Sequence, residues 1–115
     1  NCEVIKIKII KTSAYNKDYD KKIIKKHLDK ERITIEKVER LIIESINMKE
    51  LLLNPLHYVY GIEKKKGNLK EVYTFKINSK LRGYFIPDAE YPYNNLEKII
   101  DVQFLKIDDK HYGDG

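Results

Sequence analysis

At 115 residues the chain can bury one modest hydrophobic core and not two, so one domain spanning 1–115 is expected. Its 42% hydrophobic and 36% charged content predicts a folded domain with a heavily solvated surface. No apolar run approaches the roughly 20 residues that span a bilayer, and no basic-then-apolar leader opens the chain, which predicts a cytoplasmic protein without membrane contact.

Residues 4–10, "VIKIKII", alternate as a β-strand does, with Ile5, Ile7 and Ile9 on one face and Lys6 and Lys8 on the other. After a polar break at Thr12 and Ser13, the segment from Tyr15 to Lys30 places Tyr19, Ile23, Ile24, His27 and Leu28 at helical spacing, a surface helix with a narrow apolar stripe. A second helix is predicted with Thr34 as N-cap and Ile35, Val38, Leu41, Ile42 and Ile46 as its buried stripe. His27 and His57 read as packed or half-exposed side chains without chemistry.

Asn54-Pro55 stops the helical region. A basic loop, 61–70, leads into "VYTFKI" at 72–77, where Tyr73, Phe75 and Ile77 alternate with Val72, Thr74 and Lys76. Asn78-Ser79-Lys80 reads as a tight hairpin turn and "LRGYFI" at 81–86 as the returning strand. A loop containing Pro87 and Pro92 precedes a last strand at 99–107. The order β-α-α-β-β-β predicts an α+β fold: two N-terminal helices packed on a small, mainly antiparallel sheet.

The net charge of +5 is localised. Between Glu63 and Arg82 lie Lys64, Lys65, Lys66, Lys70, Lys76, Lys80 and Arg82 against only Glu63 and Glu71, which accounts for the whole excess. A solvated charge run is the plain reading of such a stretch. Its overlap with strands carrying Tyr73, Phe75, Tyr84 and Phe85 points instead to a polyanion, with Lys64, Lys65, Lys66, Lys70 and Lys80 as RNA-binding cations. One Cys, Cys2, and three scattered His give neither a disulfide nor a zinc-ligand spacing, so no metal and no cofactor is expected.

Across a short hairpin, Lys76 and Arg82 come together on the sheet face opposite Phe75. A last strand paired with that hairpin delivers His111 and Tyr112 to the same region, and Glu63 is the acid in the loop before it. A carboxylate, two cations, an imidazole and a phenol are the parts needed to cleave RNA: a base for the 2′-hydroxyl proton, charge stabilisation for the phosphorane, and an acid for the 5′-oxygen.

The stretch "GIEKKKGNLKEVYTFKINSKLRGYF" with the closing "HY" resembles the RelE/ParE superfamily of bacterial toxins, and within it the YoeB-like mRNA interferases. Glu63 stands five residues before Asn68-Leu69, Lys76 precedes Ile77, Arg82 opens the returning strand and His111-Tyr112 closes the chain pattern. The resemblance implies a RelE-like fold and the toxin of a type II toxin–antitoxin system, a ribosome-dependent, metal-independent mRNA endoribonuclease. It implies Glu63 as general base, Arg82 with Lys76 as phosphate stabilisers, His111 as general acid and Tyr112 as an orienting or stacking residue. The partners it implies are a cognate antitoxin, the ribosome and mRNA. The sequence departs from the pattern in Lys76, where Arg is common, in a longer 87–98 loop, and in the Gly113-Asp114-Gly115 tail. Two other readings stand beside it: a ParE-like toxin that inhibits a topoisomerase by binding, and a non-catalytic RNA-binding module of the same fold.

Overall fold

Alternating strands and amphipathic helices assemble here into a five-stranded sheet whose apolar face is covered by helices. The computed structural model describes residues 6–65 and 72–109. In chain order these form β1 (Lys8–Lys11), α1 (Ser13–Tyr19, continuing as a π-helical stretch, Asp20–Ile24), α2 (Asp29–Glu44), α3 (Met48–Leu53), α4 (Leu56–Val59), β2 (Glu63–Lys64), β3 (Tyr73–Lys76), β4 (Leu81–Pro87), a 3₁₀ turn (Leu96–Lys98) and β5 (Asp101–Asp109). The sheet order is β1-β5-β4-β3-β2. β1 lies parallel to β5, and every other neighbouring pair is antiparallel. The α+β class and the mainly antiparallel sheet agree with expectation; two further short helices and the outer strand β2 are additions to it.

One face of the sheet packs Phe75, Phe85, Phe104, Val102 and Ile107 against Ile35, Val38, Leu41 and Ile42 of α2 and Met48 and Leu51 of α3. Phe75, Phe85 and Phe104 form a ring cluster with centroids 5.5–6.2 Å apart. Gly83 is paired with Phe75, whose ring occupies the space a Cβ at Gly83 would need, so the glycine admits the aromatic across the strand pair. The hairpin turn is built by Asn78, whose side-chain oxygen accepts from the Lys80 and Leu81 amides at 2.8 and 2.7 Å while its Nδ2 donates to Glu31 of α2.

β1 ends opposite Phe104, and among the described residues no strand pairs with the outer edge of β5 beyond that point. Side chains at and after the start of α1 replace it. The Thr12 hydroxyl donates to the Phe104 carbonyl, Asp18 accepts from the Ile107 amide, and Lys22 donates to the Ile107 carbonyl at 2.7 Å.

Several boundaries are corrected. Thr34 is not an N-cap: α2 begins at Asp29, and the Thr34 hydroxyl donates to the Lys30 carbonyl within the helix. The first helix ends near Ile24 rather than Lys30, because His27 adopts φ +56°. The Leu28 and His27 amides then return to the Ile23 and Ile24 carbonyls, a Schellman closure. Ile46 falls beyond α2 and is exposed. The first strand is Lys8–Lys11, with Ile7 buried just before it, and the last extends to Asp109 rather than ending at 107. Asn54-Pro55 ends α3, but one more helical turn, α4, follows. No helix among the described residues is long and apolar enough to cross a membrane.

Candidate functional site

Glu63 reaches the sheet through a tight change of direction. After α4 the Ile62 and Gly61 amides bond to the His57 and Tyr58 carbonyls, and Gly61 takes φ +61°. A Cβ at Gly61 would lie 3.0 Å from the Lys76 Cβ, so a glycine is what lets this turn press against β3. The Lys76 amide donates to the Tyr60 carbonyl at 2.8 Å, and two residues after Gly61 the chain pairs Glu63 with Thr74. A segment expected to be loop thereby becomes the outermost strand.

On the face away from the helices, the register sets out two rows. Glu63, Thr74, Tyr84 and Lys106 are successive cross-strand partners, and Lys76, Arg82 and Asp108 form the next row. Neighbouring strands stand about 4.8 Å apart. Lys76 and Arg82 are therefore direct neighbours on the face opposite Phe75, with Glu63 one strand outside and one row along, opposite Thr74. Both Thr74 and Tyr84 are buried, and the Lys106 ammonium sits 4.7 Å above the Tyr84 ring. Asp108 accepts from Lys106 at 3.5 Å and faces Lys22 at 3.8 Å.

The two expected phosphate binders differ in freedom. Lys76 is exposed and makes no ion pair with a described carboxylate. Arg82 is half-buried and donates from one nitrogen, Nη1, to the Asn78 carbonyl at 2.6 Å and the Leu81 carbonyl at 3.0 Å. It closes the hairpin turn and offers its remaining donors from a fixed position.

The lysines do not share one surface. Lys64 alternates with Glu63 and lies on the helix side of the edge, its ammonium 4.8 Å from the Tyr91 ring and 6.0 Å from Tyr93. Lys65 continues the strand edge through its amide, which donates to the Val72 carbonyl at 2.9 Å. Lys80 is on the hairpin turn, at a hollow it shares with Lys22 and Lys26. Lys66, Lys70, His111 and Tyr112 lie outside the described residues. β5 is described to Asp109, which pairs with Leu81 beside Arg82.

Sequence reading named Tyr84 only as an aromatic within the basic stretch and missed Lys106 and Asp108. The signal was present: Val102 and Phe104 alternate, then Ile107 arrives one residue late, the mark of the irregularity between Tyr84 and Phe85 that shifts the β5 register. Placing that extra residue puts Lys106 and Asp108 beside Tyr84 and Arg82. Burial, and secondarily the nearby Tyr91, raises the Tyr73 hydroxyl pKa, so Tyr73 stays a neutral phenol well into the alkaline range. Among the described residues, no group of three or more His, Cys, Asp or Glu side chains comes together as a metal would require.

No family model matches the chain, and neither a curated protein nor a solved structure shows significant similarity to it.

Proposed function

We propose that this protein is a ribosome-dependent mRNA endoribonuclease of the RelE/ParE type, YoeB-like, acting in the cytoplasm as the toxin of a type II toxin–antitoxin pair. The observation that carries the reading is the register: Lys76 directly opposite Arg82, with Glu63 on the strand next to Lys76 and on the same face. A carboxylate and two cations on one face supply the groups that attack of a 2′-oxygen on a phosphodiester requires, since one takes a proton while the others meet the growing negative charge. Lys76 and Arg82 hold the phosphate, Glu63 is the base, and His111 protonates the 5′-oxygen as it leaves, with Tyr112 beside it. An acidic antitoxin segment covering these cations would hold the toxin inactive.

The bonds from Arg82 to its own turn favour a second reading as well. An arginine that closes a hairpin has a structural reason to be there, and a non-catalytic binding module of this fold, or a ParE-like inhibitor of a topoisomerase, would keep it. His111 separates the two. Replacing it with Gln lowers cleavage of ribosome-bound mRNA about 10²- to 10⁴-fold, the usual contribution of a general acid, while ribosome binding persists. Unchanged cleavage and toxicity in a folded His111→Gln protein would move the assignment to the binding readings.

A further inference from the structure

On the helix side of the β2–β3 edge lies a hollow of about 490 Å³ that borders Glu63, the expected base, but neither Lys76 nor Arg82. Leu52, Ile62 and Tyr73 line it, with His57 and Tyr58 from α4 and Lys64 from β2. Its volume falls in the range of about 300–1,000 Å³ typical of small-ligand sites. Three features distinguish it from a packing gap.

Tyr58 is 80% exposed, so folding alone does not account for a large aromatic there, yet its ring is held 3.9 Å from that of His57, centroid to centroid. The His57 ring is itself fixed: Nδ1 lies 2.8 Å from the Asn54 carbonyl. A carbonyl only accepts, so Nδ1 carries a proton in this bond. Third, the Lys64 ammonium is held over Tyr91 and Tyr93, and Tyr93 in turn stands 6.3 Å from Tyr73. An organised cation thus stands beside a series of ring faces.

Ring faces with a cation at the margin are the composition that holds single-stranded nucleic acid, the rings taking a base and the ammonium its phosphate. We infer that this hollow receives one unpaired base of the RNA strand, stacked against Tyr58 and His57, with its phosphate on Lys64 and the following Lys65. The inference rests on the proposed RNA-binding function. It deepens that reading by adding, at the edge strand that carries Glu63, a base subsite on the side of the sheet opposite the Lys76–Arg82 face. The strand edge beside the rings carries Lys64 and Lys65 against the single carboxylate of Glu63, and this local excess of positive charge favours RNA over an apolar peptide.

The test is a titration of the isotopically labelled full chain with a short single-stranded oligoribonucleotide and with the same strand carrying abasic sites, followed by nuclear magnetic resonance. The normal strand is expected to shift the His57, Tyr58 and Lys64 signals and the abasic strand to leave the two ring signals in place. Tyr58→Ala, at an exposed position, is expected to weaken binding of the normal strand about five- to a hundredfold and binding of the abasic strand little. Tyr58→Phe is expected to retain affinity. Equal affinity of Tyr58→Ala and the parent chain, with RNA still bound and cleaved, would overturn the base subsite and leave the proposed function standing. Shifts at His57 and Tyr58 caused by an amphipathic peptide and not by RNA would overturn it in favour of a protein-docking surface. Absence of any RNA binding would remove both this inference and the function it rests on.

Discussion

The two faces of the sheet are made by alternate residues of the same strands, yet they are organised by different forces. Toward the helices, Phe75, Phe85 and Phe104 are fully buried and meet α2 and α3 through dispersion and the exclusion of water. On the other face, Lys76, Arg82 and Lys106 stand among carboxylates and beside the buried Thr74 and Tyr84. A period of two lets one strand hold the fold together with one set of residues and present charge with the other. The difference implies that substitutions on the first face are read in stability and those on the second in activity.

The largest effect expected on the buried face comes from Phe104, whose ring touches those of Tyr15, Phe75 and Phe85. Phe104→Ala should lower unfolding free energy by about 3–5 kcal/mol, measured by chemical denaturation. That is a large part of the total of about 5–15 kcal/mol typical of a domain. A loss below about 1 kcal/mol would mean that this face is not the centre of the fold.

Arg82 sharpens the comparison because it serves both faces' purposes. Arg82→Ala removes two charge-assisted bonds to the hairpin turn and should cost about 1–2 kcal/mol, somewhat reduced by its partial exposure, besides weakening RNA binding. Lys at this position should restore part of the RNA binding and less of the turn, since an ammonium lacks the planar fork. Equal recovery of both would show that only the charge matters.

A smaller effect is expected at Tyr15, which is buried with no hydrogen-bond partner for its hydroxyl among the described residues. Tyr15→Phe should raise stability by about 1 kcal/mol at neutral pH by removing an unsatisfied polar group. Burial, followed by the Glu39 charge and then Tyr19, raises the Tyr15 pKa, and burial also leads the upward shifts of Tyr19 and Tyr73. Above about pH 10 the unfolded chain's tyrosines lose protons that the native chain keeps. The unfolded state then binds fewer protons, so stability, complete below that pH, falls as pH rises, and Tyr15→Phe should make the fall shallower in pH-dependent melts. An unchanged slope would remove Tyr15 from the account.

The central hairpin was legible in the sequence because its alternation is regular and Asn78 marks its turn, and that alone set Lys76 opposite Arg82. What was hidden depends on contacts distant in sequence. Nothing local marks Glu63–Lys64 as a strand, since two residues become one only by pairing with β3. His27 gave no sign of a left-handed conformation, because residues other than glycine rarely adopt one. Thr34 invited the N-cap assignment as a residue type, whereas α2 starts at Asp29 without a side-chain cap. His57 was passed over because its value lies in a bond to Asn54 and a ring contact with Tyr58 that only the short α4 creates.

Separation of stability from chemistry is tested most directly at Glu63, an exposed residue on the outermost strand. Glu63→Gln should leave the melting free energy within about 0.5 kcal/mol of the parent, as substitutions at exposed positions usually do. In the same preparation, cleavage of ribosome-bound mRNA should fall by about 10²- to 10⁴-fold, the range expected for loss of a general base. Cleavage at the parental rate in that folded variant would contradict the account and leave the charged face as a binding surface without a base.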